Sequence, residues 1–186
     1  MPTPERTSLA DIVGAAWDIV EEEGLANLTM QAVAVRVGVR APSLYKRVRS
    51  RDDLVRLVTE ATARDLGEQL DAVAPSGDAR ADLGRLCRAF RAFAHAHPAR
   101  YHLVFAAVPP ASRPDVGSFA AAAAPVLRVA SDLAGPDEAL EAARTITAWA
   151  HGFVSMELAE AFNLGGDVER AFEYGIARLA DSLAKA

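Results

Sequence analysis

The sequence predicts an all-helical protein of about nine helices. Apolar side chains recur at three- and four-residue spacing over long segments, and β-branched residues nowhere alternate with polar ones as in a half-buried strand. Alanine is abundant and aromatic residues make up 6% of the chain, which favours helix over sheet. With 186 residues, 51% of them hydrophobic, the chain can bury a substantial core.

Capping and stop signals place the first helices. An N-terminal helix is expected to begin at Ser8 and end at Gly24, because serine is a favoured N-cap and glycine a frequent stop. Thr29 is expected to cap a second helix, and Gly38 to make the sharp turn after it. A third short helix is predicted over 41–47.

The rest of the chain predicts further helices, separated by breaks that contain proline or glycine. A fourth helix follows Ser50 and continues towards Val73, and others are predicted over 82–97, 101–108, 116–134, 137–164 and 167–185. We expect two domains: a three-helix helix-turn-helix head over 6–66 and a helical body for ligand binding and dimerisation over 67–186.

The head carries a local excess of positive charge. Between Arg36 and Arg56 the sequence has seven lysine or arginine residues and two aspartates, whereas the whole chain has a net charge of −5. A basic segment on an acidic protein attracts phosphate to one surface and repels it from the others. This distribution favours nucleic acid as a partner.

Residues 34–44 have the spacing of a helix-turn-helix unit. Ala34 is the small residue of the first helix and Gly38 follows four positions later; Val39 and Leu44 are apolar residues that hold the second helix against the first. In such units the second helix enters the major groove of DNA. A plain helical bundle with a basic face is the alternative at this point, because helical hairpins with a glycine turn are common.

The residues that follow favour the DNA-binding interpretation. The segments LYKRV at 44–48 and SRDDL at 50–54 closely resemble the signature of TetR-type transcriptional regulators, whose helix-turn-helix unit follows one N-terminal helix and precedes an all-helical body. The chain departs from that signature at Val48, usually aromatic, at Arg51, usually lysine, and at Arg40, often a capping serine or threonine. Because losing such a cap costs about 0.5–2 kcal/mol, we expect Arg40 to contact DNA.

Two segments of the body carry a second resemblance. HPARY at 97–101 and WAHGF at 149–153 are similar to a TetR subgroup named for its Trp-His-Gly motif.

The candidates for contact with double-stranded DNA lie on or beside the short helices; they are Thr29, Arg40, Ala41, Pro42, Ser43, Tyr45, Lys46, Arg47 and Arg51. Residues 40–43 form the leading edge of the third helix and are expected to read bases, since arginine pairs with guanine and small apolar groups contact the thymine methyl. Thr29, Tyr45, Lys46 and Arg51 are expected at phosphates. Two alternatives stay open: Arg47 and Arg49 are merely solvated, or Tyr45 is a core residue.

The resemblance implies a homodimer on a palindromic operator, because one head contacts only a half-site. The candidates for the interface are apolar residues of the last two predicted helices: Ala150, Phe162, Val168, Phe172, Gly175, Ile176, Leu179 and Leu183. On the last helix, all of these except Gly175 recur at steps of three and four and share one face, and Gly175 beside them would allow close helix approach. A purely intramolecular core is the alternative.

The resemblance also implies a small-molecule effector, not identified by the sequence. The candidate pocket residues are mostly aromatic and lie on three predicted helices: Phe90, Phe93, His97, Tyr101, Phe105, Trp149 and Phe153. They would line an apolar cavity with few polar groups, as small-molecule sites commonly have. Aromatic residues at helical spacing are also typical of a plain core, which is the alternative.

The sequence gives no ground to expect catalysis, a cofactor or a metal. It has no phosphate-cradling glycine loop, nucleophile elbow or zinc-protease motif. His95, His97 and His102 are close in sequence, but the first two would face different directions on a helix. Cys87, the single cysteine, is expected to be a small buried side chain.

We expect no membrane association and a cytoplasmic location. The segment MPTPERTS does not predict a signal peptide. The longest apolar run, 119–127, is shorter than the ~20 residues of a membrane span.

We therefore expect a ligand-responsive transcriptional regulator, a repressor rather than an activator. It is expected to leave its operator, near its own gene, on binding a small apolar or amphipathic molecule. The alternatives are an enzyme and a helical small-molecule-binding or structural dimer without a role at DNA. Neither requires the basic head.

Overall fold

A computed structural model describes residues 7–185 of the chain. Residues 1–6 and residue 186 lie outside the described residues. Residues 1–6 include the start of the predicted head and most of MPTPERTS, the segment in which no signal peptide is predicted. The described part contains nine α-helices and no strand, which confirms the all-helical prediction. The helices are α1 Leu9–Glu23, α2 Met30–Arg36, α3 Ala41–Leu44, α4 Arg51–Asp71, α5 Ala79–Ala96, α6 Pro98–Phe105, α7 Val116–Ala134, α8 Ala139–Leu158 and α9 Val168–Leu183.

The chain divides into two compact units. The first combines the residues up to Arg64 with His97–Phe119, and the second combines Asp65–Ala96 with the residues from Ala120 onwards. The first unit therefore contains the helix-turn-helix segment and also α6. The sequence-based boundary between 66 and 67 stays a prediction.

The core of the first unit follows the apolar stripe of α1. Ile12, Ile19 and Val20 are at most 1% exposed, and residues from α2, α3, α4 and α6 pack around them in one cluster. At the start of α1 the Asp11 amide donates to Ser8 Oγ at 3.0 Å and the Ser8 amide donates to Asp11 Oδ2 at 2.7 Å. This capping box fixes where α1 begins, as predicted from Ser8.

The third helix is shorter than predicted. α3 ends at Leu44, whereas residues 45–47 form a turn. The amides of Arg47 and Val48 both donate to the Leu44 carbonyl at 2.9 Å, and the Val48 side chain is 0% exposed. Burying Val48 beside Leu44 therefore turns the chain before α4.

The core of the second unit includes the packed helices α5, α8 and α9, which ion pairs also join. Arg91 on α5 donates to both carboxylate oxygens of Glu157 on α8, at 2.6 and 2.8 Å, and also pairs with Glu169 on α9. α8 ends at Leu158, earlier than the predicted 164, because Glu160 adopts a left-handed conformation with φ 52°.

α7 is long and apolar enough to cross a membrane by length and composition, with 19 residues and a mean hydropathy of 1.2. It extends beyond the apolar run 119–127, on which the sequence-based expectation rested. One such helix is weak evidence for a membrane span, since core helices of soluble proteins meet the same limits.

Candidate nucleic-acid interface

The helix-turn-helix geometry predicted from residue spacing is present in the first unit. Gly38 has a φ of 72°, in the left-handed region that glycine adopts readily, and the Val39 amide donates to the Ala34 carbonyl at 2.9 Å. Ala34 is 0% and Leu44 1% exposed, so these two side chains hold α3 against α2. The turn therefore presents the outer side of α3 to solvent.

Most candidates for DNA contact are exposed along this turn and α3. Arg40, Pro42, Ser43, Lys46 and Arg47 are exposed, and Tyr45 is 54% exposed, which excludes the core alternative for Tyr45. Ala41 is half-buried against the core of the unit. Arg40 stands at the N-cap of α3 and its side chain makes no capping hydrogen bond.

Thr29 caps α2, as predicted. Its Oγ1 accepts a hydrogen bond from the Ala32 amide at 3.0 Å, and the residue is exposed. The hydroxyl hydrogen is not used in that bond, so Thr29 can still donate to an oxygen outside the protein.

Arg51 is directed towards the protein backbone. Its Nε donates to the Leu28 carbonyl and a terminal nitrogen donates to the Leu25 carbonyl, both at 2.7 Å. Leu25 begins a 3₁₀ helix that ends at Asn27, just before α2. The guanidinium expected at a phosphate thus braces the chain that enters α2. Its spacing in the sequence carries no signal for this contact, which depends on tertiary structure.

A cleft of about 540 Å³ lies on the first unit, beside the junction of α3 and α4. It is lined by Leu9, Arg47, Arg49, Ser50, Asp53, Arg56, Leu57 and Ala111. The Arg49 amide and the Arg56 guanidinium donate to the Asp53 carboxylate and lower its pKa. Asp53 therefore stays ionised and offsets part of the positive charge of the cleft.

Two family models match the chain. One, described as "Bacterial regulatory proteins, tetR family", covers residues 6–58, and the other, "Tetracyclin repressor-like, C-terminal domain", covers 83–179. The chain is 35% identical over 159 residues to an uncharacterised HTH-type transcriptional regulator of Mycobacterium tuberculosis, across 83% of this chain and 72% of the relative. The chain belongs to the TetR family. It is a DNA-binding transcriptional regulator.

Solved structures share the TetR fold. The crystal structure of the regulatory protein SCO4313 has a TM-score of 0.76 and 29% identity, covering 91% of this chain and 93% of that one. A TetR variant from Acinetobacter baumannii AYE in complex with minocycline has a TM-score of 0.70, covering 97% and 99%. At 21% identity the second likeness shows the fold alone.

The residues predicted to line an effector pocket of this TetR protein divide between the two units. In the first unit Tyr101 is 0% exposed, with its ring centroid 5.2 Å from that of Phe105, and His97 is the N-cap of α6. In the second, Phe90 and Phe93 are buried. The rings of Trp149 and Phe153 lie 5.8 Å apart in the second unit. None of these seven residues lines the cleft beside α4.

Four of the eight residues predicted at the dimer interface pack against other residues of the second unit itself. Phe172 is 0% exposed and stacks on Trp149 at 5.3 Å, while Ile176 and Ala150 are also buried. Gly175 lies against the Trp149 ring of the same protomer. These positions serve the protomer's own core, so the interface prediction rests on Phe162, which is exposed, and on the half-buried Val168, Leu179 and Leu183.

The second unit exposes apolar side chains outside the predicted interface set. They lie on α8, on α9 and on the segment between them: Leu140, Met156, Leu164 and Tyr174. Leu164 is 101% exposed and Tyr174 is 68% exposed. The stripe of α9 did not indicate Tyr174, because its position lies off the apolar face that packs inward.

Within residues 7–185, no group of three or more histidine, cysteine or acidic side chains is placed to hold a metal ion. His95, one of the three histidines considered, has its Nε2 atom 3.0 Å from Glu157 Oε2, within hydrogen-bond distance of that carboxylate.

Proposed function

We propose that this TetR-family regulator is a homodimeric repressor that binds a palindromic operator and leaves it when a small apolar or amphipathic molecule binds. The observation that carries the proposal is the exposed edge from Arg40 to Lys46 on a helix-turn-helix unit whose inner side is locked by Ala34 and Leu44. Because its target is DNA, we expect it to act in the cytoplasm.

Base recognition is assigned to the start of α3. Arg40 has an exposed guanidinium that can donate two parallel hydrogen bonds to guanine. The small side chains of Ala41, Pro42 and Ser43 allow the helix to approach the groove closely and to contact a thymine methyl. A good bidentate pair contributes about 1–3 kcal/mol of discrimination, so Arg40 is the main specificity residue of the proposal.

Phosphate contact is assigned to side chains that flank α3. Tyr45 and Lys46 are exposed directly after α3, and Thr29 is exposed at the cap of α2. A phenol, an ammonium and a hydroxyl each donate hydrogen bonds to phosphate oxygens without reading sequence. These contacts set the register of the head on the duplex.

Dimerisation is assigned to the exposed apolar side chains of α8, α9 and the segment between them. Met156, Phe162, Leu164 and Tyr174 are each at least 37% exposed, and a second copy of the unit would remove them from water. Such a cluster of apolar side chains suits an obligate interface, which is more apolar than the remaining surface.

An effector that uses the predicted aromatic residues must open the packing around them. Phe93 is 1% and Tyr101 0% exposed, so each is covered by protein. A solved TetR with this fold is in complex with minocycline, which supports a small-molecule effector for this chain as well. A ligand that stabilises an opened arrangement would favour one conformation of the body over another.

The operator assignment is tested by fluorescence anisotropy on DNA flanking the gene, across a salt series. Lys46→Ala is expected to weaken binding and to reduce the slope of log affinity against log salt by about 0.9 for each phosphate that the variant no longer neutralises. Lys185→Ala removes an exposed lysine far from the head in sequence and is expected to leave both quantities unchanged. The wild-type protein is also tested on a duplex that it has selected from random sequence. If its affinity for that duplex equals its affinity for scrambled DNA, the operator proposal is refuted.

The dimer assignment has its own test. Met156→Glu with Tyr174→Glu places charges on the exposed face and is expected to yield monomers in sedimentation velocity, with helical content retained. Arg144→Glu, at another exposed position of α8, is the control. If the first pair remains dimeric, another surface joins the subunits.

A further inference from the structure

Four arginines lie where the turn after α3 enters α4, and the structure engages them differently; they are Arg47, Arg49, Arg51 and Arg56. Arg56 donates to Asp53 at 2.6 Å and to Glu60 at 2.8 Å. Two carboxylates therefore offset its charge, and its donors are directed along α4. The terminal nitrogens of Arg56 are therefore already engaged and are poorly placed to bind a phosphate.

Arg51 is occupied by a different kind of partner. Its two hydrogen bonds, to the carbonyls of Leu25 and Leu28, orient the planar guanidinium towards the chain before α2. Leu28 is 0% exposed, so its carbonyl lies at the edge of the core. Moving Arg51 onto DNA would leave these acceptors without their charged donor.

Arg49 combines an exposed side chain with a fixed backbone. Its amide donates to Asp53 Oδ2 at 2.9 Å, which holds the residue at the entrance to α4. Within residues 7–185 its guanidinium makes no hydrogen bond or ion pair, and it lines the cleft of about 540 Å³ together with Arg47 and Ser50. The cleft follows directly after the exposed Tyr45 and Lys46 along the chain.

We propose that Arg49, at the wall of this cleft, binds a DNA backbone phosphate, and that Arg51 is a positioning residue that holds the chain entering α2. This rests on the proposed operator binding and adds to it a phosphate contact beyond those of Tyr45 and Lys46. A guanidinium pairs with two phosphate oxygens through parallel hydrogen bonds, and an anchored backbone reduces the freedom lost on binding. The resemblance to the family signature pointed to Arg51 for this role.

The test measures which arginine is coupled to which phosphate. The probe is a duplex selected from random sequence by the wild-type protein, with each phosphate replaced in turn by a neutral methylphosphonate. At one phosphate in each half-site, the replacement should weaken wild-type binding by roughly tenfold or more and leave the affinity of Arg49→Gln unchanged. Arg51→Gln should remain as sensitive as wild type at every phosphate.

A measurement without DNA separates positioning from phosphate contact. Arg51→Gln should lower the Tm of the free protein, and Arg51→Lys, which keeps the charge but not the planar fork, should lower it too. Arg49→Gln should leave the Tm unchanged. If Arg51→Gln does not fold, Arg51→Lys takes its place on the substituted duplexes.

Three results would overturn the inference. The Arg51 variant, instead of Arg49→Gln, could lose the sensitivity of its DNA affinity to methylphosphonate replacement, or neither variant could lose it. The third is an unchanged Tm in both Arg51 variants. Failure of the proposed function has a different signature. In that case no duplex sequence is enriched by the wild-type protein, although the Tm differences persist.

Discussion

The Trp149 indole on α8 lies directly over the backbone of Gly175 on α9: a Cβ atom at residue 175 would stand 2.2 Å from Trp149 Cζ2. Two helices of the second unit thus approach closely where one side chain is missing. We predict that Gly175→Ala lowers the free energy of unfolding by about 1–3 kcal/mol, because the ring must move out of a packed core.

Gly152→Ala is the matched control for that substitution. Gly152 also lies within a helix, but an added Cβ would meet nothing within 4 Å. It should stabilise the protein by about 0.5–1 kcal/mol, since alanine is the better helix former. Urea denaturation of the wild type, Gly175→Ala and Gly152→Ala measures the free energy of unfolding of each and so the sign of both changes. Equal effects at 152 and 175 would mean that Trp149 does not fill the space above Gly175.

These residues also show what the sequence can and cannot predict. Caps and turns depend on local chemistry, and the roles predicted for Ser8, Thr29 and Gly38 are present in the structure. The partner of an apolar residue is not local: Phe172 and Ile176 are predicted at the dimer interface from the stripe of α9, yet both are buried within the protomer. Spacing alone does not distinguish a core stripe from an interface.

Acid is expected to weaken the junction of α5 and α8. The hydrogen bonds from Arg91, followed by that from His95, lower the pKa of Glu157 below its ordinary value of 4.5, although partial burial opposes this. A lowered pKa in the folded state adds stability that is complete above the unfolded pKa and is lost as the pH falls through the folded one. Stability should therefore decrease from about pH 4.5 downwards.

Glu157→Gln tests that pH dependence. The variant should lose about 1.5–3 kcal/mol at pH 7, the usual contribution of hydrogen bonds to a charged group, and show a flatter decrease below pH 4.5. Urea midpoints between pH 3 and 7 provide the comparison. If the urea midpoints of Glu157→Gln and of wild type decrease in parallel below pH 4.5, another carboxylate causes the loss of stability in acid.

Substitution at Arg40 should move stability and DNA binding in opposite directions. Arg40 occupies the N-cap of α3 without a capping hydrogen bond, so Arg40→Ser should add about 1 kcal/mol of stability by supplying one. The same change should weaken operator binding by about 1–3 kcal/mol and relax preference at one base pair in each half-site.

Thermal unfolding and binding to base-substituted operators measure the two effects of Arg40→Ser. Arg144→Ser, at an exposed position of α8, should leave affinity unchanged. Full affinity with an unaltered base preference in Arg40→Ser would remove Arg40 from the recognition surface.

The Cys87 thiol should be unreactive towards thiol reagents in the folded protein. Burial raises the pKa of this thiol to about 12, so almost no thiolate is present at neutral pH. A thiol reagent such as DTNB should label it only after unfolding, at a rate that follows the unfolded population. Complete labelling within seconds under native conditions would contradict the burial of Cys87 on α5.

Glu21 on α1 should contribute more to stability than its neighbour Glu22. The Glu21 carboxylate accepts the amides of Ala99 and Arg100 at 3.3 Å at the start of α6, and Arg100 Nε lies 3.5 Å away. Glu22 forms an ion pair with Arg36, with 61% of the Glu22 side chain exposed. We expect Glu21→Ala to cost about 1–3 kcal/mol and Glu22→Ala at most about 1 kcal/mol.

Hydrogen exchange can localise the effect of Glu21→Ala. The first amides of α6, from Ala99 onwards, should exchange faster in this variant because the carboxylate that accepts them is gone. Exchange at the start of α2 should not change, since Thr29 caps that helix by itself. If Glu21→Ala and Glu22→Ala destabilise the protein equally and leave α6 protected, the start of α6 does not depend on α1. The first unit would then hold α6 by its apolar contacts alone, chiefly through Leu103 in the shared core.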